Sequence, residues 1–489
     1  MNNLEDIKAE YIKMKEAAIL DIDSMSKLKR KKIYGRIVPG YIDKSSKGYY
    51  YLQISLRTED MIKWDYEYFV NVWKEKKNGN ITPFEAIYGM YKPYFFEFIA
   101  PATKEEYEKC KACKNIDKWF PVSLYNSNNS DCPRKNDKNT DLILIGTVVF
   151  SASPVIQRKK YLTINFTDEI GPQDQISELE NIFKSQMQSM SNNGAISGLE
   201  QYVENYKSFD FHIYNVGQGN FVNMNFNHKD SILFDAGFTI FKKPQTNVIE
   251  ANISKFKDLE PKAIILSHWD LDHILGIAYV GKGYDDTREH ICDKDILWIV
   301  PDMRKILKSV SQSARLLLLY LLRNGRNVYL ADNSGKEGGI VFASTDNRFE
   351  IWQGSGKAGK FNRNNNIGFI VKINDTNGKI FFPGDCEYSK MPEQCHDIYK
   401  YMMVSHHGAE QIIPDKFEFK PDGGVCICSY GNNRYGHPKK RTKQRLEKLR
   451  FCIKNTPDVE EYIISRNKCG KYSFKSVPPE RENKDTNID

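Results

Sequence analysis

The chain has 489 residues, of which 40% are hydrophobic, so it can bury two sizeable cores and we expect two domains. Its formal net charge of +8 favours an anionic partner. The ten cysteines follow no regular framework and no stretch of about eighteen apolar residues occurs, which argues against a disulfide-rich secreted protein and against a membrane channel. Because the acidic N-terminus lacks an apolar signal region, we expect a cytoplasmic protein.

The first part of the chain predicts a mixed, β-rich domain over residues 1–200. Residues 4–32 are typical of a charged helix, and residues 49–54, 142–150 and 161–166 have the composition of strands. The sequence indicates no family for this domain, and binding of another protein is one interpretation of it. Residues 186–198 turn to Ser, Asn, Met and Gly, which predicts a linker or weak helix, with the linker at about 186–205.

A second domain is predicted over residues 206–475, followed by a disordered tail at 476–489. It opens with a strand at residues 209–214 and the turn Asn-Val-Gly-Gln-Gly at 215–219. The next strand ends in Leu-Phe-Asp-Ala-Gly at 233–237. We expect Asp235 to order this turn and to orient a ligand histidine from behind rather than to bind metal itself.

The most informative segment is Ser-His-Trp-Asp-Leu-Asp-His at residues 267–273, directly after an apolar strand at 263–266. In a tight turn after a strand, His268 and Asp270 can face one point, while Asp272 and His273 turn to a second. Imidazole and carboxylate ligands together suit zinc, manganese or iron, and two such ions can share one hydroxide. The segment therefore predicts a site for one or two divalent metals, with zinc and manganese the main candidates.

Further polar residues follow three later elements. An apolar strand ends in Pro-Gly-Asp at 383–385, another in Ser-His-His-Gly at 405–408, and a third precedes Tyr-Gly-His-Pro at 435–438. Residues 303–323 are predicted to form a helix packed in the core. Asn365 or Asn366, just before a strand at 367–371, is a candidate neutral donor toward a substrate.

This series of motifs resembles the metallo-β-lactamase superfamily, and more narrowly the soluble hydrolase domain of ComEC-type competence DNA-uptake proteins. The resemblance covers roughly residues 207–475 and implies an αββα sandwich with the metals at one edge, between the two sheets. The overall fold class expected is therefore α/β (α+β), preceded by the β-rich N-terminal domain.

The resemblance also implies roles for individual residues. Asp385 falls at the position of the metal-bridging carboxylate, and Asp272 and His273 at those of ligands to the second metal. Either His406 or His407 would complete that metal, and we favour His406, leaving His407 in the outer shell. The first metal would have few ligands, namely His268, Asp270 and Asp385.

The substrate expectation comes from the charge beside the last motif. A basic run at 439–450 includes Lys439, Lys440 and Arg441, and a helix beginning there would present amides and cations to a phosphate. With His437 as a substrate-contacting group, and with Asp272 and Asp385 as the other catalytic residues, we expect a phosphodiesterase or nuclease that uses a metal-activated hydroxide. Two alternatives stay open: a hydrolase of a small thioester, lactone or nucleotide messenger, and a metal-stabilised subunit that is active only with a protein partner.

Overall fold

The computed structural model describes most of the second half of the chain and separate parts of the first. The described residues are 32–38, 50–59, 62, 66, 96–112, 118–126, 142–150, 159–164, 175, 177–178, 181, 185, 195–228, 230–238, 248, 251–252, 255, 259–278, 295–323, 326–331, 338–356, 363–414, 418–419, 424–431 and 436–479. The helix predicted at 4–32 lies outside the described residues, apart from residue 32. Residues 186–194 of the predicted linker also lie outside the described residues.

Six antiparallel strands in the first part of the chain close into a barrel, in the order β1-β2-β3-β5-β6-β4. A helix, Lys104–Ala112, connects β3 and β4. The barrel encloses its own apolar core, in which Ile54, Leu56 and Phe98 are fully buried. The strands are β1 (Ile33–Val38), β2 (Tyr50–Thr58), β3 (Phe96–Ala102), β4 (Phe120–Asn126), β5 (Leu142–Phe150) and β6 (Lys159–Ile164).

The second part of the chain contains two large sheets. The eight-stranded sheet has the order β12-β11-β10-β9-β8-β7-β22-β23, and the seven-stranded sheet has the order β13-β14-β15-β16-β18-β20-β21. The strands are β7 (Phe209–Tyr214), β8 (Phe221–Phe226), β9 (Asp230–Ala236), β10 (Ala263–Ile265), β11 (Leu297–Pro301), β12 (Val328–Ala331), β13 (Gly339–Ala343), β14 (Phe349–Gln353), β15 (Phe369–Asp375), β16 (Gly378–Phe382), β17 (Ile398–Tyr399), β18 (Tyr401–Met403), β19 (Glu418–Phe419), β20 (Gly424–Cys428), β21 (Phe451–Asn455), β22 (Glu461–Arg466) and β23 (Tyr472–Val477). Strands β17 and β19 form a separate pair.

The two large sheets pack face to face through one apolar core. Phe211 of β7 and Phe382 of β16 meet edge to face across it, with ring centroids 6.0 Å apart. Helix Lys440–Lys448 buries Leu446 in a second apolar cluster on the outer side of the seven-stranded sheet. Helix Gln312–Arg323 makes the crossover between the parallel strands β11 and β12. The fold is thus mixed α and β with a two-sheet sandwich, as the sequence predicted.

The remaining helical segments are short. The α-helices are Glu200–Val203, Leu271–Ile274 and Arg363–Asn366, and the 3₁₀ turns are Ile196–Leu199, Leu275–Ala278, Met303–Lys305, Leu307–Ser309, Tyr388–Lys390, Glu393–Cys395, Ser405–Gly408 and Thr456–Asp458. The helix predicted at 303–323 is therefore divided into two 3₁₀ turns and the helix that starts at Gln312. Among the described residues, none of the helices combines the length and the apolar character needed to cross a membrane.

Two predicted boundaries differ from the structure. Residues 196–203, placed in the segment predicted as a linker or weak helix, fold as a 3₁₀ turn and a short helix. They bury Leu199 and Val203 in the core between the sheets, because side chains four residues apart share one helix face. Residues 476–477, placed in the tail, belong to β23, where Ser476 and Val477 pair with β22.

The barrel holds the start of helix Gln312–Arg323. The first backbone amides of a helix have no partner within the helix. Here the N–H of Gln312 donates to Ser55 Oγ of the barrel at 3.1 Å, and the hydroxyl of Ser313 donates to Glu97 Oε1 at 2.6 Å. Glu97 is fully buried, and the N–H of Ser313 also points to Oε1 at 3.4 Å. The barrel and the sandwich are therefore joined by buried polar contacts.

We expect Glu97→Ala to lower the free energy of unfolding by about 1–3 kcal/mol, because it leaves buried donors unsatisfied. Urea unfolding measures the loss. The control is Glu59→Ala, which removes an exposed barrel carboxylate that lies 4.0 Å from Lys32 and should change stability by less than about 1 kcal/mol. Equal losses in the two variants would show that the Glu97 contact does not stabilise the fold.

Candidate metal centre

Four strand ends meet at one edge of the sandwich. In the eight-stranded sheet, β9 and β10 are parallel, with Phe234 beside Ile265, so the residues that follow both strands emerge together. In the other sheet, β16 and β18 are parallel, with Phe381 beside Met402. The two predicted motif halves, one from each sheet, are brought together by this arrangement.

Asp385, which follows β16, lies at the centre of the cluster and is nearly fully buried. Four imidazole Nε2 atoms surround its carboxylate. They belong to His273 at 3.3 Å, His406 at 3.6 Å, His407 at 3.7 Å and His268 at 3.9 Å. One carboxylate thus faces histidines from both sheets.

Two further carboxylates border the same space. Asp272 Oδ2 lies 3.3 Å from His407 Nε2, and Asp272 Oδ1 lies 4.0 Å from His273 Nε2. Asp270 Oδ2 lies 3.3 Å from His268 Nε2. The cluster therefore contains oxygen and nitrogen ligands within reach of common points.

Hydrogen bonds outside the cluster determine how two of the rings face it. His407 Nδ1 lies 2.7 Å from the carbonyl oxygen of Ser429, which can only accept, so Nδ1 carries the proton and the Nε2 lone pair of the neutral ring points at the carboxylates. His273 Nδ1 lies 2.7 Å from Asp235 Oδ2, which favours the same tautomer.

Asp235 acts from behind the cluster. Its carboxylate is fully buried and also accepts from the N–H of Ser267 at 2.6 Å and from the hydroxyl of Ser267 at 2.8 Å. Asp235 thus contacts both His273 and the turn at residue 267.

The backbone at this edge adopts rare conformations. Asp235, His406 and His407 have φ values of 59°, 50° and 55°, in the left-handed region that non-glycine residues seldom occupy. Such residues persist where the surrounding structure holds them, and they are enriched at functional sites. The bends turn side chains toward the cluster that regular strand alternation would direct elsewhere.

The glycine turn at 217–219 packs against the metal motif. A Cβ atom built on Gly219 would lie 2.5 Å from the carbonyl oxygen of Asp272, and one built on Gly237 would lie 2.0 Å from it. Only glycine permits such close approach. The hydroxyl of Ser429 donates to the carbonyl of Gly219 at 2.6 Å, so this turn links the two sheets beside the cluster.

The electrostatics of the cluster favour a cation. Burial alone would raise the pKa of Asp385, but the charges of His407, His273 and His406 outweigh it and hold this pKa well below its usual range. Burial would lower the pKa of His273, but the carboxylates of Asp385 and Asp235 raise it well above its usual value. The carboxylates therefore stabilise positive charge in this buried space.

The donor atoms fit a divalent metal. Among the described residues, His268 Nε2, His273 Nε2, His407 Nε2 and Asp385 Oδ1 are buried without a hydrogen-bond partner. Unpaired buried polar atoms are costly, and a cation would satisfy all four. Two groups of three have ligand atoms within 4.8 Å of one another: His268, His273 and Asp385; and Asp272, His273 and His407. Imidazole and carboxylate sets of this type suit zinc, manganese or iron.

The geometry differs from the sequence-based preference for His406 over His407. The second group contains the buried His407, whose ring is oriented by Ser429, whereas the His406 side chain is 20% exposed. The sequence favoured His406 because it repeats the strand-Ser-His pattern of His268, and that pattern does not show the left-handed backbone found at both positions. His406 still faces Asp385, at 3.6 Å.

The predicted substrate residues lie at different depths. His437 is buried and its ring meets that of His406 at right angles, with centroids 6.1 Å apart. Lys439 is largely buried, whereas Lys440 is exposed and Arg441 pairs with Glu410 at 2.9 Å on the surface.

Three consecutive asparagines, 364–366, lie in the short helix Arg363–Asn366 beside the site. The sequence indicates Asn365 or Asn366 as a donor. Asn365 is buried with its Oδ1 unpaired among the described residues, and Asn366 binds Glu387. Asn364, which the sequence did not indicate, donates from its Nδ2 to Asp270 Oδ1 at 2.6 Å. The run of three asparagines was a visible signal, but which of them reaches the site depends on the turn that they form.

Residues 214–318 match the sequence profile of the Metallo-beta-lactamase superfamily. No match to a curated protein sequence was found. Similar solved structures include Tm1679, a metal-dependent hydrolase of the beta-lactamase superfamily, with 12% identity, coverage of 55% of this chain and 99% of that chain, and a TM-score of 0.30. YhfI from Bacillus subtilis, a metallo-beta-lactamase fold protein, has 11% identity, coverages of 53% and 99%, and a TM-score of 0.30. AidC, a dizinc quorum-quenching lactonase, has 13% identity, coverages of 61% and 90%, and a TM-score of 0.26.

We expect purified protein to bind one to about two equivalents of transition metal, and His407→Ala to weaken zinc binding more than His406→Ala does. Loss of a direct ligand should exceed the roughly 10–100-fold effect of an outer residue, and the effect of His406→Ala should stay within that range. Elemental analysis gives the stoichiometry, and competition with a chromophoric chelator gives the affinity. If His406→Ala lost more zinc affinity than His407→Ala, His406 rather than His407 would be the metal ligand.

Proposed function

Because the chain contains a metallo-β-lactamase superfamily domain, we propose that it is a metal-dependent hydrolase that cleaves phosphodiester bonds, with a nucleic acid as the substrate. The observation that carries this proposal is the convergence of Asp272, Asp385 and three buried imidazoles on one space. The narrower likeness to the hydrolase domain of ComEC-type proteins is part of the proposal, and it rests on the motifs at 216–219, 267–273 and 435–438.

Each residue of the cluster has a proposed task. A bound divalent ion would lower the pKa of water and polarise a phosphoryl oxygen. Asp385 would face both metal positions, and Asp272 would hold the second together with His273 and His407. Asp235 and Ser429 would keep the two rings oriented.

His437 is proposed to act on the substrate rather than on the metal. Its ring lies against that of His406, beside the carboxylates. From there it would contact a non-bridging oxygen or protonate the leaving alkoxide. Asn365 is proposed as a second polar contact to the substrate, in which its buried Oδ1, unpaired among the described residues, would accept from a sugar hydroxyl or a base N–H.

The helix Lys440–Lys448 supports a phosphate-containing substrate. The N–H of Lys439 donates to the carbonyl of Gly408, and the hydroxyl of Thr442 donates to the carbonyl of Ala409. These bonds hold the first turn of the helix beside the turn that carries His406 and His407. Exposed cations at the start of the helix would therefore lie beside the site, where they can neutralise backbone phosphates.

We expect Asp272→Ala to reduce hydrolysis by orders of magnitude without unfolding the protein, because it removes a carboxylate ligand while the apolar core between the sheets is untouched. The assay uses single-stranded DNA, RNA, cyclic dinucleotides, and a lactone or thioester, each with Mn²⁺ or Zn²⁺. Circular dichroism checks the fold.

The same panel separates the alternatives. Turnover of the lactone or thioester alone would replace a nuclease by a small-molecule hydrolase. If the wild type hydrolysed none of these substrates until a protein partner was added, the partner-dependent subunit would be favoured. The N-terminal barrel would then be the candidate binding module. Near-wild-type turnover by Asp272→Ala would place the chemistry elsewhere.

We expect the affinity of Asp272→Ala protein for a short single-stranded oligonucleotide to fall steeply with salt. Adding Lys440→Ala and Arg441→Ala should flatten the slope of log K against log salt by about 1.4, roughly 0.7 per phosphate contact. The matched control is Lys448→Ala, an exposed lysine at the other end of the same helix, about 12 Å along the helix axis from Lys440 at 1.5 Å per residue. An unchanged slope in the double variant would exclude this helix from nucleic-acid binding.

A further inference from the structure

Asn364 makes two contacts with the metal motif. It lies in the short helix Arg363–Asn366 and is fully buried. Its Nδ2 donates to Asp270 Oδ1 at 2.6 Å, and its Oδ1 lies 3.4 Å from the backbone N–H of Trp269. Both ends of one amide therefore contact two consecutive residues of the segment 267–273.

The carboxylate of Asp270 contacts Asn364 and does not cap the helix that follows it. Asp270 occupies the N-cap position of the helix Leu271–Ile274, where a carboxylate commonly accepts hydrogen bonds from the first backbone amides. Here the side chain makes no capping hydrogen bond. Oδ1 is bound by Asn364 instead, and Oδ2 lies 3.3 Å from His268 Nε2.

The other side of the segment is also held. The indole N–H of Trp269 donates to the carbonyl of Pro301 at 2.8 Å, and Trp269 is almost fully buried. The turn at Trp269 is thus fixed by two sets of contacts. The indole of Trp269 binds Pro301 at the end of β11, and the side-chain amide of Asn364 contacts Trp269 and Asp270. An amide is neutral, so it orients the carboxylate without cancelling the negative charge that a cation requires.

We propose that Asn364 is a positioning residue for the metal site, which acts by presenting Asp270 Oδ2 beside His268 Nε2. The nearby Asn366 binds Glu387 instead, through hydrogen bonds of 3.2 Å and 3.0 Å. The inference rests on the metal-binding part of the proposed function and is independent of the substrate.

The test is a double-mutant cycle read by zinc affinity. Metal-free wild type, Asn364→Ala, Asp270→Ala and the double variant are titrated with Zn²⁺ against a chromophoric chelator. In the wild-type background, Asn364→Ala should weaken one zinc equivalent by about 10–100-fold. In the Asp270→Ala background the same change should have little further effect, because the residue acts through Asp270.

Two controls keep the result interpretable. Asn374→Ala removes a side-chain amide of β15 that donates to the carbonyl of Asn347, and it should leave zinc affinity unchanged. If Asn364→Ala does not fold, the cycle is run with Asn364→Ser, which keeps a shorter donor. An equal loss in both backgrounds, or none in the wild-type background, would overturn the inference. A protein that shows the expected cycle but hydrolyses no substrate would overturn the proposed function alone.

Discussion

The main constraint on this structure is the free-energy cost of burying the carboxylates of Asp272 and Asp385 at one edge of the sandwich. Asp272 and Asp385 are nearly fully buried and face imidazole nitrogens at 3.3 Å or slightly more. Isolated buried carboxylates are expensive unless they are paired or bind a cation. Three of the facing rings present nitrogens that have no other partner among the described residues. A divalent metal would offset the cost of the whole arrangement, which is why the cluster indicates a metal centre.

The strand arrangement of the two-sheet domain brings these carboxylates and imidazoles together. Parallel strands in each sheet end at the same edge, and residues with left-handed backbone turn the side chains inward. Asp235, Ser429 and Asn364 then fix the orientation of a ring or a carboxylate from outside the cluster. Because the barrel holds the start of helix Gln312–Arg323, it is attached to the sandwich by buried polar contacts.

Sequence patterns predicted the elements better than their contacts. The apolar strands and the segment 267–273 could be recognised because strand periodicity and ligand chemistry are local properties. The choice between His406 and His407 depended on features that the pattern does not show, namely left-handed backbone at both residues and the contact of His407 with Ser429. Asn364 meets Asp270 across 94 positions, and no pattern near either residue reveals that bond. Leu199 and Val203 looked like part of a polar linker because their apolar partners lie in distant strands.

Anomalous diffraction at the zinc absorption edge, from crystals of the full chain soaked in Zn²⁺, would test the metal centre most directly. We expect one or two peaks beside the Asp385 carboxylate, with His268, His273 and His407 as nitrogen ligands. Zinc bound only elsewhere, or no peak in this cluster at saturating metal, would contradict a metal centre at this position. In that case the convergence of these buried side chains would require another explanation.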